Sequence, residues 1–167
     1  RVLFRSSRRY AHLTMWGMGY VAFDIQTGTV AQSYGTGIVS SDIYSAGNGW
    51  YRCSATYLKN NTNAGTYAGL HDGTVNGHIY TGDGVSGMLI WGAQLEEAST
   101  AGEYVKTTST INSAPRFDHK VTRTTTNLVI RSEEFDTWSA VNANVSADQI
   151  TAPDGTTTAD LTEATST

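Results

Sequence analysis

Residues 47–58, GNGWYRCSATYL, read as a tight turn followed by a β-strand. Gly47, Asn48 and Gly49 form a turn signal, because glycine and asparagine accept positive φ at little steric cost. The residues after them alternate in character. Tyr51, Cys53, Ala55 and Tyr57 make one face, apolar enough for a core, and Trp50, Arg52, Ser54 and Thr56 make the other. Successive side chains of a strand point to opposite sides, so this period of two predicts a strand buried on one face.

The same pattern recurs upstream. In 9–16, Ala11, Leu13 and Met15 fall on the core side, opposite His12, Thr14 and Trp16. In 19–26, Val21, Phe23 and Ile25 fall inside, opposite Tyr20, Ala22 and Asp24. Further strands are expected at 29–33, 38–44, 66–71, 78–81 and 87–95, with turns at Gln26-Thr27-Gly28, Asp72-Gly73 and Asp83-Gly84. Only 97–103 has any helical character. Short strands at regular spacing, separated by turn residues, predict an all-β sandwich or barrel.

Composition agrees. Charged residues are 16% of the 167, and Thr, Ser, Ala, Asn and 17 Gly take their place; a globular domain usually has about 25% charged residues. The net charge of −4 is unevenly distributed. Four of the 11 basic residues, Arg1, Arg5, Arg8 and Arg9, lie in the first nine positions, leaving seven against 15 acidic residues elsewhere. A body this acidic lacks the basic footprint of a nucleic-acid binder. The opening RVLFRS is similar to translated adapter DNA, so residues 1–8 are expected to be a non-native or disordered head outside the fold. A single cysteine, Cys53, excludes an intramolecular disulfide and any multi-cysteine zinc site. No stretch approaches the roughly 18 apolar residues of a membrane-spanning helix.

Residues 105–126 (VKTTSTINSAPRFDHKVTRTTT) are Thr-rich, polar and centred on Pro115, and read as a linker. Strands are expected again at 127–132, 145–150 and 157–162. The roughly 40 residues after the linker are too few to bury a core alone. They are expected either to pack on residues 9–104 or to begin a second copy.

Several segments together resemble a known module. GNGWYR (47–52) and IWGAQLEE (90–97), with SEEFD (132–136), Trp138 and APDGTTTAD (152–160), resemble the jelly-roll carbohydrate-binding modules of bacteriophage tail and head fibres. The first two look like closing strands and the last two like opening strands, an order that suggests tandem copies or circular permutation. The resemblance implies a galactose-binding-like jelly-roll β-sandwich over 9–104, with 127–167 as the opening strands of a second copy, packed on the first in permuted order. It also implies a non-catalytic glycan-binding role on a virion appendage, in contact with neighbouring copies and displayed as a homotrimer. Such a protein is made in the bacterial cytoplasm, with secretion as the alternative location. A fibre spacer and a binding module attached to a polysaccharide-degrading enzyme are the alternative roles.

Sugar recognition needs an aromatic ring to stack on the apolar face of a pyranose and polar groups for its hydroxyls. Trp16, Tyr20 and Trp50 are the stacking candidates on the strand faces away from the core. His12, Asp24, Arg52 and Gln94 are the polar candidates. The competing reading of each is structural, since large aromatics are mostly buried; Trp91, alternating with Leu89, Ala93 and Leu95, reads as core. Catalysis finds less support. Glu96-Glu97 and Glu133-Glu134 are adjacent pairs that point apart in a strand, no GxSxG elbow occurs, and His12, His71, His78 and His119 lack zinc spacing. No cofactor is expected, apart from a structural calcium as an option at the Asp83 loop.

Overall fold

The computed structural model describes residues 1–58, 65–78, 81–110, 112–113 and 126–165. Twelve strands make up nearly all its regular structure: β1 (Val2–Ser6), β2 (Tyr10–Met15), β3 (Gly19–Asp24), β4 (Thr29–Tyr34), β5 (Ile38–Gly47), β6 (Trp50–Tyr57), β7 (Thr66–His71), β8 (Gly87–Trp91), β9 (Asn112–Ser113), β10 (Thr126–Asn127), β11 (Ala143–Ile150) and β12 (Ala159–Ala164). One 3-10 turn covers Phe135–Thr137. Residues 97–103 form no helix. Of the strand expected at 78–81, residues 79 and 80 lie outside the described residues, as do Pro115 and His119.

The strands form an antiparallel β-sandwich. One sheet has six strands in the order β11-β12-β8-β1-β6-β5, the other four in the order β4-β3-β2-β7, and β9 and β10 form a separate pair. The turn that joins β5 to β6 needs positive φ at both central positions, and Asn48 (50°) and Gly49 (79°) supply it. The inward alternation read from the sequence holds. Ala11, Leu13, Val21, Phe23, Ile25 and Leu70 from the four-stranded sheet meet Val2, Phe4, Cys53, Met88 and Ile90 from the six-stranded one.

Three expectations are corrected. Residues 1–8 are not a head outside the fold: Val2–Ser6 is an interior strand, paired with β6 on one side and β8 on the other. Val2, Leu3 and Phe4 are buried, and that apolar triplet outweighs the arginines around it. The start of the expected linker is packed, with Val105 and Thr107 buried. Asn127 holds it there, its amide Nδ2 donating to Ala93 O (2.9 Å) and Val105 O (2.8 Å). Leu95 N and Val129 N donate to Asn127 Oδ1 in return.

The third concerns Trp50. It does lie opposite Cys53, but that side is not solvent-facing. Leu3, Trp50, Trp91, Ala152 and Ala159 form a second apolar cluster on the outer side of the six-stranded sheet, with Leu89, Tyr104 and Ile150 packed against it. Trp50 is 1% exposed.

The C-terminal strands join the sheet formed by the rest of the chain. β12 pairs with β8 (Leu161 opposite Leu89, Thr162 opposite Met88), and β11 extends the sheet beyond it. Asp160 ties this edge together: its buried carboxylate accepts from Phe135 N (2.7 Å), Asp136 N (3.1 Å) and Asp148 N (2.9 Å).

Candidate functional site

The outer face of the four-stranded sheet gathers most of the exposed aromatic surface near the sequence candidates. Register places Tyr67, Thr14, Tyr20 and Tyr34 in one row across β7, β2, β3 and β4. Adjacent strands lie about 4.8 Å apart, so the row spans about 14 Å, more than the width of one sugar ring. Trp16 follows the end of β2 and stands beside the row. Its indole meets Tyr67 edge to face at 6.4 Å between centroids. Trp16 is 66% exposed, Tyr34 56% and Tyr67 53%.

Tyr20 sits beneath this surface at 4% exposure, its ring stacked on Tyr34 at 5.7 Å and 24°. Its hydroxyl donates to Gln32 Oε1 (3.0 Å) and accepts from Asn76 N (3.1 Å). The next row holds Gly69, His12, Ala22 and Gln32. Gly69 leaves room there: a Cβ on it would stand 3.0 Å from His12 Cε1, tight enough that the ring would have to shift by a few tenths of an ångström. The freed space admits the imidazole, which is buried and bonded through Nδ1 to Leu70 O at 3.0 Å. Burial, reinforced by His71 and His78, lowers His12 to about 4. Burial also lowers His71, so both rings are neutral at neutral pH. These two imidazoles therefore add no charge beneath the platform at neutral pH.

At the far end of this face, Asp24 is buried and fully engaged. Arg9 donates to Asp24 Oδ2 (2.8 Å), and Gln26 N and Thr27 N donate to Oδ1. Burial alone would raise this carboxyl, but the hydrogen bonds together hold it below its usual value. Asp24 is a turn-closing group, not an open ligand contact.

Of the seven sequence candidates, the structure brings His12, Trp16, Tyr20 and Asp24 to this one face, and only Trp16 is open. The other three lie elsewhere. Trp50 belongs to the second apolar cluster. Arg52 lies on the six-stranded sheet beside Tyr44, its guanidinium 5.5 Å from that ring and Nη1 3.3 Å from the hydroxyl. Gln94 is buried and its amide is committed, accepting from Val105 N (2.8 Å) and donating to Glu96 Oε1 and Glu103 O.

Tyr67 and Tyr34 were absent from the sequence candidates. The signal for Tyr67 was available: it alternates with the inward Ala68 and Leu70 of a strand read with the correct bounds. Tyr34 follows the expected 29–33 strand by one residue, and only cross-strand register places it beside Tyr20.

Two carboxylates considered for catalysis and for calcium, Glu133 and Asp83, are engaged by other groups. The buried Glu133 is bonded to Tyr104 and Lys106. The Asp83 carboxylate accepts from Val85 N, Ser86 N and Ser86 Oγ and faces Arg8. Among the described residues, no three His, Cys, Asp or Glu side chains are grouped to hold a metal ion. Compared with family models, curated proteins and solved structures, the chain matches none.

Proposed function

We propose that this chain is a non-catalytic glycan-binding module of a phage fibre or spike, built as a jelly roll and displayed in multiple copies. The observation that carries the reading is the open Trp16–Tyr67 pair at one end of a cross-strand row that finishes in Tyr34. Exposed rings on a sheet face are what stacking on sugars requires, and an apolar patch of this kind on a protein surface marks an interaction site. Binding through a few rings is weak per site, and repetition raises it through effective concentration. The sequence resemblance supplies the fibre setting and the virion location.

A spacer role is the second reading, and one observation favours it. The six-stranded sheet ends in two long outer strands, the ten-residue β5 and the eight-residue β11, and such edges invite neighbouring copies to add.

Tryptophan fluorescence titrated with a panel of neutral oligosaccharides tests the proposal. A saturable change that Trp16→Ala removes supports binding at this face. A folded chain with no response to any sugar favours the spacer.

A further inference from the structure

Two histidines, His71 and His78, pack against Tyr20, and a third, His12, lies beside both. His12 lies 5.8 Å from His71 and 5.9 Å from His78 between ring centroids, and Tyr20 lies 5.3 Å from His71 and 5.5 Å from His78. Residues 72–78 run over this cluster and are held to it at two points. Gly73 N donates to His71 Nδ1 at 3.0 Å, and Asn76 N donates to Tyr20 Oη at 3.1 Å. The loop closes on itself through Asp72 N to Gly77 O (2.9 Å) and Gly77 N to Thr74 O (3.0 Å).

The first attachment fixes a protonation state. A ring nitrogen that accepts a hydrogen bond carries no proton, so the proton of neutral His71 is on Nε2. That nitrogen is buried and, among the described residues, has no hydrogen-bond partner. Charging the ring would turn Nδ1 from acceptor to donor, facing the Gly73 N–H, and would leave a second buried donor unanswered.

We propose that residues 72–78 form an acid-released latch: protonation of His71 at Nδ1 breaks the Gly73 bond, and the loop lifts from Tyr20. The groups that face the latch bear this out. β2 presents Tyr10 and His12, β3 presents Tyr20 and the Arg9-paired Asp24, and β4 presents Tyr34. The loop itself contributes Asp72 and His78. Asp72 is the one neighbour that favours a charged His71, and its Oδ1 is occupied by Thr74 N and Thr74 Oγ1. Arg8 acts on Asp72 from further off. Burial and His78 oppose the charge. Release therefore falls on the acid side of the ordinary histidine value of 6.5. Lifting the loop frees the Tyr20 hydroxyl beside Tyr34. The latch stands apart from the glycan reading, since its readout involves no ligand.

Amide hydrogen exchange of the full chain, followed by NMR at pH 7.5 and 5.0 and corrected for intrinsic rates, tests it. At pH 5.0 Gly73 and Asn76 should lose protection at least tenfold more than Cys53 in β6, whose own loss reports the change in global stability. In His71→Asn, which offers an acceptor near the Nδ1 position without titrating, both amides should lose no more protection at pH 5.0 than Cys53 does. Equal protection at both pH values, or equal loss in the variant, would overturn the proposal. If His71→Asn fails to fold, the wild-type imidazole nitrogen shifts decide. An Nε2–H tautomer that titrates below 6.5 in step with the Gly73 amide supports the latch. An Nδ1–H tautomer, or a ring that titrates at 6.5 or above, contradicts it.

Discussion

Trp16, directly after β2, and Tyr67, in the adjacent strand β7, meet edge to face with their ring centroids 6.4 Å apart while each stays more than half exposed. Rings placed this way lose little surface to each other and leave stacking area for a third partner. Removing either should therefore cost function more than stability. Trp16→Ala and Tyr67→Ala are each expected to weaken oligosaccharide binding at least tenfold while changing unfolding free energy by less than about 1 kcal/mol. Paired binding titrations and urea melts check this.

Trp50 gives the reverse result. It fills the second apolar cluster with Leu3 and Trp91, and Trp50→Ala leaves a large void there. The expected loss is about 3–5 kcal/mol of stability, with sugar affinity of the remaining folded protein unchanged. Chemical denaturation and binding, measured on one preparation, separate the two effects.

Asp160 joins three segments through three backbone donors. Asp160→Ala leaves those buried N–H groups unanswered and is expected to cost on the order of 3 kcal/mol. Asp160→Asn keeps one acceptor oxygen and should cost less. Urea unfolding ranks the two variants, and equal losses would show that the acceptor role is not what matters.

Acid should destabilise the fold through His12. Its value is lowered from 6.5 to about 4 in the folded chain, so the unfolded chain takes up the proton first. The contribution is fully present above pH 6.5 and is lost as pH falls towards 4, by about 3 kcal/mol. His12→Asn keeps a donor for Leu70 O but does not titrate. Its unfolding free energy should therefore fall less between pH 7 and pH 4.5 than that of the wild type, and parallel falls would contradict the assignment.

The alternation in β2, β3 and β6 was enough to locate the inner core, because strand period is a local property of the sequence. It was silent on whether the opposite face meets water. Trp50 sits on the side the pattern assigned, yet Ala152, Ala159 and Tyr104 arrive from distant parts of the chain to cover it. The same limit applies to His12 and Tyr20, which face outward from the sheet but lie beneath a loop. β1 was missed for a different reason. Its apolar run, Val2-Leu3-Phe4, is only three residues long and is flanked by Arg1 and Arg5, so it carries no alternation from which a buried strand can be read. The candidate site was legible in part. Trp16 was identified from its strand, whereas Tyr34 depends on the pairing register of β3 with β4, which no single-strand pattern encodes.

The central claim is that the outer face of the four-stranded sheet binds glycans. A glycan array probed with the wild-type chain and with a Trp16→Ala, Tyr67→Ala double variant tests it most directly, with cooperative unfolding of both confirmed beforehand. The account predicts selective retention of the wild type on a subset of glycans and loss of that retention in the folded variant. Retention of both proteins on the same glycans, or of neither, would contradict it.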